Sequence, residues 1–312
     1  MDIKQRYRHF KVWQQNAFDW SYDEDEHHSC VNCGNDFVGN HCPHCSQKAG
    51  VGKVTWQSVL QSTAEVWGMN DRSLLYSLWQ LMFRPGYFIS DYINGKRQVS
   101  FPPVKMLVIM GFVGAIFDYL FSTTSIARRV VKEGSPLVNQ YFDWLETSPG
   151  WGFLSIMCFF IVPTWCIFRY APRNAKHSLP QGFFIQVFMS IQVLVIDNLA
   201  DLFGDIFYVM VPMCYFYVYR QLFGYGIWGN IWRVALMLVS GLLFTVTAIS
   251  VTELLTIGPT IGNRHMVGCA VLAIATMLAG MLISKVLAER RKQSTHNQES
   301  RDTSITERKD AT

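Results

Sequence analysis

Between residues 106 and 284 the chain carries nine basic and eight acidic residues in 179 positions, whereas the other 133 residues carry 33 charges. A soluble domain is about a quarter charged, so so long a stretch with so few charges cannot be an ordinary water-soluble core. It reads as a membrane-embedded body set between a soluble head and a soluble tail. A single soluble enzyme domain and a wholly disordered chain are both excluded by this division.

Six apolar segments can be drawn in the body, at residues 106–125, 151–168, 182–199, 206–223, 234–252 and 266–284. About 20 residues cross a hydrocarbon core of about 30 Å, so the first, fifth and sixth fit comfortably. The third and fourth are marginal, because the acidic run Asp197-Asn198-Leu199-Ala200-Asp201-Leu202-Phe203-Gly204-Asp205 occupies their shared ends. The expected fold is an all-α polytopic membrane protein of about six transmembrane helices with a small N-terminal zinc-ribbon-like knuckle in the cytosol.

Orientation follows from two signals. Residues 1–20 are polar and basic (Lys4, Arg6, Arg8, Lys11) and hold no apolar core of a cleavable signal, so the head is expected to remain in the cytosol. With the head there, twelve Lys and Arg flank the spans on the cytoplasmic side and four on the other, Arg128, Arg129, Lys132 and Arg264. That is the positive-inside asymmetry, and it places both termini in the cytoplasm. Residues 285–312 alternate charge with Ser, Thr and Gln, the composition of a disordered tail.

Four of the eight cysteines lie within sixteen residues, as Cys30-Val31-Asn32-Cys33-Gly34 and Cys42-Pro43-His44-Cys45, with eight residues between Cys33 and Cys42. Each CxxC forms a tight knuckle with two thiolates aimed at one centre, and two knuckles close a tetrahedron around Zn2+. Paired disulfides are disfavoured in a reducing cytosol, and no βαβ pattern supports redox chemistry. The spacer is shorter than the ribbon spacing of about 15–20 residues, which predicts one short hairpin. Four thiolates complete the shell, so His27, His28, His41 and His44 are expected to be solvated and the site structural. Cys158, Cys166, Cys214 and Cys269 stand singly in apolar runs as small hydrophobes.

After a flexible arm (1–29) and the knob (30–48), residues 49–105 carry helical periodicity. Trp56, Val59, Leu60, Thr63, Val66 and Trp67 share one face, and Leu74, Leu75, Leu78, Trp79 and Met82 another, with Asn70-Asp71 as an N-cap signal between them. Pro85 near the start and Gly95 past the end frame a third, short helix. These helices lie on the bilayer surface or pack on one another and on the body; the pattern allows either.

The double CxxC followed by Ser46-Gln47, and the motif Arg84-Pro85-Gly86 … Asp91-Tyr92-Ile93-Asn94-Gly95-Lys96-Arg97 … Phe101-Pro102 ahead of a polytopic body, resemble the bacterial membrane-protein family called domain of unknown function 3667. By motif the resemblance runs over about residues 28–125. In that family the second knuckle usually ends in Cys-Gly-Gln, where this chain has Ser46. The resemblance implies a zinc-ribbon protein of the bacterial inner membrane, and it implies no activity.

Polar residues within the body are the remaining candidates. Asp118, near the middle of the first segment, shares a face with Gly111, Ala115 and Ser122. It is read as a buried packing residue before a proton or cation ligand, since a mid-membrane carboxylate must face protein or water. Gln186, Ser190, Asp197 and Asp201 form one helical stripe, opposed by Tyr208, Tyr215 and Tyr219 on a segment that Pro212 is expected to kink. In the sixth segment Cys269, Ala273, Thr276, Gly280 and Ser284 form a small-residue seam for packing. Phosphate loops, HExxH and GxSxG are absent, so no enzyme is expected. Residues 30–45 contain no Lys or Arg, so nucleic acid is not an expected partner. The expected function is a membrane anchor or scaffold in contact with the lipid bilayer, with a protein partner at the head and room for homo-oligomers. The alternative is a small-solute or proton-coupled transporter using Asp118 and the Asp197/Asp201 end.

Overall fold

The computed structural model describes residues 3–15, 27–30, 32–46, 49, 73–96, 100–121, 140, 149–256 and 265–310. The chain divides into two compact units, Met1–Leu78 and Trp79–Thr312.

The first unit opens with helix α1 (Ile3–Gln15) and continues into strands β1 (His27–Ser29) and β2 (Asp36–Val38). The strands pair antiparallel with His28 opposite Phe37, the single short hairpin that the spacer requires. Phe37 turns inward and, with Cys30 and Cys42, makes a small buried cluster on which Cys45 and Ala49 pack. The faces expected over residues 55–67 and the Asn70-Asp71 cap lie outside the described residues. Helix α2 (Leu74–Phe83) starts instead from Ser73, whose Oγ accepts the Tyr76 N–H at 3.2 Å, an N-cap that satisfies one orphan donor.

The regular secondary structure described in the second unit is all helical. It comprises α3 (Pro85–Ile93), α4 (Pro103–Phe121), α5 (Pro149–Cys158), α6 (Ile161–Phe168), α7 (Leu179–Phe203), α8 (Met210–Phe223), α9 (Ile227–Thr256) and α10 (Met266–Asp310). Among the described residues three helices are long and apolar enough to cross a membrane: Leu179–Ala200, Ile227–Leu255 and Met266–Ser294. A fourth is obtained if α5 and α6, bent by 44° at their junction, count as one span. Helix α4 is 19 residues long, and the fourth expected segment divides into a 3₁₀ turn (Asp205–Val209) and the 14-residue α8, shorter than a span.

Three expectations change. The third segment is no marginal element: α7 runs through Asp197 and Asp201 for 25 residues and stops at Gly204, φ +103°. Its start is fixed by a capping box, in which Gln181 N–H donates to Ser178 Oγ and Ser178 N–H donates to Gln181 Oε1. Pro212 does not kink α8, because it falls in the first turn, where N–H groups have no intrahelical acceptor to lose. Finally, α10 continues to Asp310 where composition reads as a disordered tail. Ala, Leu, Glu, Arg, Lys and Gln are good helix formers, and the helix propagates from the apolar segment without a breaking Gly or Pro after Gly280.

The core lies around α7, whose apolar window is 72% buried, against 28% for α9 and 11% for α10. Helices α3, α4, α5, α6 and α8 pack on α7. For α3 the packing alternative holds, since Pro85, Gly86, Phe88, Ile89 and Ile93 are all buried. Helices α4 and α5 cross closely: a Cβ added to Gly150 would stand 3.0 Å from the Leu107 carbonyl and 3.3 Å from Gly111 Cα. Helices α9 and α10 pair along the expected seam. Ala273 is fully buried, Thr276 Oγ1 lies 2.9 Å from Ser240 Oγ, and Gly280 admits the side chains of Ile167 and Leu236.

Candidate metal centre and buried polar clusters

The two knuckles are built alike. Gly34 N–H donates to Cys30 O at 2.8 Å and Ser46 N–H donates to Cys42 O at 2.8 Å, so each CxxC is closed by the residue that follows it. Gly34 takes φ +73° without strain, and Ser46 is held in the same left-handed region at φ +61°. The four sulfur atoms of Cys30, Cys33, Cys42 and Cys45 all lie within 4.8 Å of one another. Cys30 Sγ is 3.4 Å from Cys45 Sγ, and Cys33 Sγ is 3.6 Å from Cys42 Sγ. A tetrahedron with metal–sulfur bonds of about 2.3 Å has edges of about 3.8 Å, so the cluster has the size and donor set for a metal ion.

Electrostatics agree. The Asn35 backbone draws the Cys33 thiol downward, but desolvation and the other three thiols outweigh it and push it up to about 12. Cys42 is lowered: desolvation raises it, and hydrogen bonds from the Cys45 and His44 backbone overcome that rise. Four crowded sulfurs resist joint ionisation, and a bound cation removes that resistance. All four cysteines are free, and no histidine joins the cluster among the described residues. Three of the four scattered cysteines, Cys158, Cys214 and Cys269, are half-buried, and Cys166 is buried.

The polar stripe on α7 turns inward on the protein. Gln186 Nε2 donates to Thr164 Oγ1 at 3.2 Å and to Tyr219 OH at 3.1 Å, and the two hydroxyls lie 3.1 Å apart. All three residues are buried, and they tie α6, α7 and α8 together. Ser190 Oγ donates back to its own helix, to Gln186 O at 2.9 Å. Asp197 Oδ1 accepts from Tyr208 OH at 2.7 Å, which joins α7 to the 3₁₀ turn. Tyr215 OH lies 2.8 Å from Met157 Sδ. The side chains of Asp118 and Asp201 lie outside the described residues.

The sequence motif that carries the resemblance forms a second cluster, whose geometry sequence reasoning missed. Arg84 is fully buried. Its Nη2 donates to Asp91 Oδ2 at 2.6 Å and its Nη1 donates to Gln80 Oε1 at 3.3 Å. Lys96 Nζ reaches Asp91 Oδ1 at 3.3 Å from the solvent side. Next to it Gly86 lies directly on α8: its N–H donates to Gln221 Oε1 at 3.1 Å, and a Cβ there would stand 2.6 Å from Leu222 N and Val218 O. Asn94, at the end of α3, donates to Asn174 Oδ1 at 2.9 Å, and Asn174 Nδ2 donates to Leu222 O at 2.8 Å. Asn174 has φ +49°, which Asn tolerates better than most residues. Motif spacing was the available signal; the pairing of Arg84 with a carboxylate seven residues later follows only from a helix that begins at Pro85.

No curated protein and no solved structure matches the chain. Residues 71–114, which include Arg84, Gly86 and Asp91 and exclude the four knob cysteines, match the model of the family described as "Protein of unknown function (DUF3667)", the same family that the motif from Arg84 to Pro102 resembles.

Proposed function

We propose that this chain is a non-enzymatic scaffold of the bacterial inner membrane, with a zinc knob in the cytosol that presents a docking surface to a protein partner. In this reading the body makes about six crossings: α4, the bent α5/α6 pair, α7, the 3₁₀ turn with α8, α9 and α10. Helix α4, with 19 residues at about 1.5 Å each, is close to the thickness of the hydrocarbon core. The basic residues, twelve to four, support cytoplasmic termini. Zinc is the ion that four clustered thiolates fit best, since a closed soft-donor tetrahedron suits a d¹⁰ ion and leaves no position for catalysis.

The observation that carries the scaffold reading is the occupation of the polar stripe. Gln186, Ser190 and Asp197 each hydrogen-bond to the protein itself, so they serve helix packing before solute binding. A host phenotype tests it. Cys42→Ser should abolish function while leaving the protein in the membrane, and Asp197→Asn should leave function within about twofold. A stable protein inactivated by Asp197→Asn or Asp118→Asn and indifferent to Cys42→Ser would replace the scaffold with a transporter.

A further inference from the structure

At the start of α9 a buried cation lacks a counter-charge. Arg233 is 2% exposed, and no carboxylate pairs with it among the described residues. Its Nε donates to Ser284 Oγ at 3.1 Å and its Nη1 donates to Gly229 O at 2.7 Å, and beyond these only the Tyr225 side chain interacts with it as an acceptor among the described residues, without good hydrogen-bond geometry. The guanidinium stacks over the Tyr225 ring at 3.9 Å and the Trp232 ring at 4.1 Å. Tyr225 is 4% exposed, and its hydroxyl is buried with no hydrogen-bond partner of good geometry. A second cation, the exposed Arg291 of α10, stands over the same ring at 5.9 Å.

The helices explain how these groups meet. Tyr225 precedes α9, Arg233 lies about two turns further on, and Ser284 and Arg291 are two turns apart on α10. Because Arg233 meets Ser284, the antiparallel α10 brings Arg291 level with Tyr225. Two guanidinium groups around one phenol repel each other, and ring faces compensate a desolvated cation only in part. A planar guanidinium fork and a phenolic donor together match the oxygens of a phosphate. Trp228, 83% exposed in the first turn of α9, is the kind of residue that settles at a membrane interface, where lipid phosphates are concentrated.

We propose that Arg233, Arg291 and Tyr225 form a binding site for an anionic phosphate group. The test uses the full chain purified in detergent, with thermal unfolding followed while phosphatidylglycerol, phosphatidylcholine or inorganic phosphate is titrated at constant ionic strength. Phosphatidylglycerol should raise Tm saturably by about 3 °C or more, with phosphatidylcholine inert. A rise with phosphatidylglycerol alone identifies a lipid headgroup, and a matching rise with inorganic phosphate identifies a soluble ligand. Tyr225→Phe keeps the ring and Arg291→Gln keeps a polar side chain at an exposed position, so both should lose most of the shift, read in each case against that variant's own ligand-free Tm. No rise with any of the three ligands, or an undiminished rise in both variants, overturns the site.

Discussion

The buried apolar cluster around the knob consists of Cys30, Phe37 and Cys42, whereas α7 alone fully buries Ile185, Val187, Phe188, Met189, Ile191 and Leu194. A cluster of three side chains removes too little apolar surface to offset the conformational entropy of the hairpin. Among the described residues, metal binding at the four cysteines would supply the fold energy that the knob's core does not, while the body draws it from packing and from internal hydrogen bonds. The difference teaches where each region is vulnerable: one to loss of a ligand, the other to loss of close fit.

The largest expected effect is on the knob. Cys42→Ser, or a strong chelator, should reduce bound metal from one ion per chain to near zero and unfold the hairpin. Structural zinc contributes about 10–16 kcal/mol of apparent binding energy in small domains. Elemental analysis with thermal unfolding of the full chain checks this; a body that melts together with the knob would break the distinction between the two regions. In the body, Arg84→Met should cost about 3–5 kcal/mol, because it leaves Asp91 without its buried partner. A double-mutant cycle with Asp91→Asn should recover part of that loss.

Acid should act on the body through His177, which is buried beside Phe223. Burial lowers its pKa to about 4, with the Asn174 backbone opposing and the Arg169 charge assisting. The unfolded chain then binds the proton first, so stability is full above about pH 6.5 and falls as pH drops toward 4, by about 3 kcal/mol at most. His177→Phe should flatten this slope, and an unchanged slope would assign acid sensitivity elsewhere. Gly86→Ala should cost about 1–3 kcal/mol, since its Cβ meets the backbone of α8 and one helix must shift. The smallest effect is a gain. Ser46→Gly relieves a left-handed serine worth about 0.5–1 kcal/mol and should tighten metal binding about two- to fivefold in a competition titration. A loss of affinity would show that the Ser46 side chain itself supports the knuckle.

The knob was legible in the sequence because all its determinants are local. Cysteine spacing sets the knuckles, and the short spacer sets the hairpin. The α9/α10 seam was legible for a related reason, since its small residues recur at helical spacing on one face. The length of α7 was not. Asp197 and Asp201 look like an interruption when solvent is the only neighbour considered, yet Tyr208 donates to Asp197 from the following turn and the helix continues past both. The Arg84–Asp91 pair and the burial of Arg233 against Tyr225 and Ser284 were hidden because they depend on where helices begin and what lies opposite. Hydropathy drew six segments of similar weight; the helices built from them differ in length, in bending and above all in how much protein surrounds each.

The hydrogen bonds of Gln186 bear on how the chain is made. A ribosome delivers Thr164 first, Gln186 22 residues later and Tyr219 a further 33 residues on. A glutamine amide entering hydrocarbon alone pays for unpaired donors, so α7 is most easily inserted together with the preceding α6 as a hairpin, with Thr164 already opposite. Tyr219 would then arrive as the second acceptor for the same amide nitrogen and fix α8 against that pair. The two donors of Gln186 would thus find their acceptors in the order of synthesis, with α6 and α7 as the nursery of the fold and α8 as its latch.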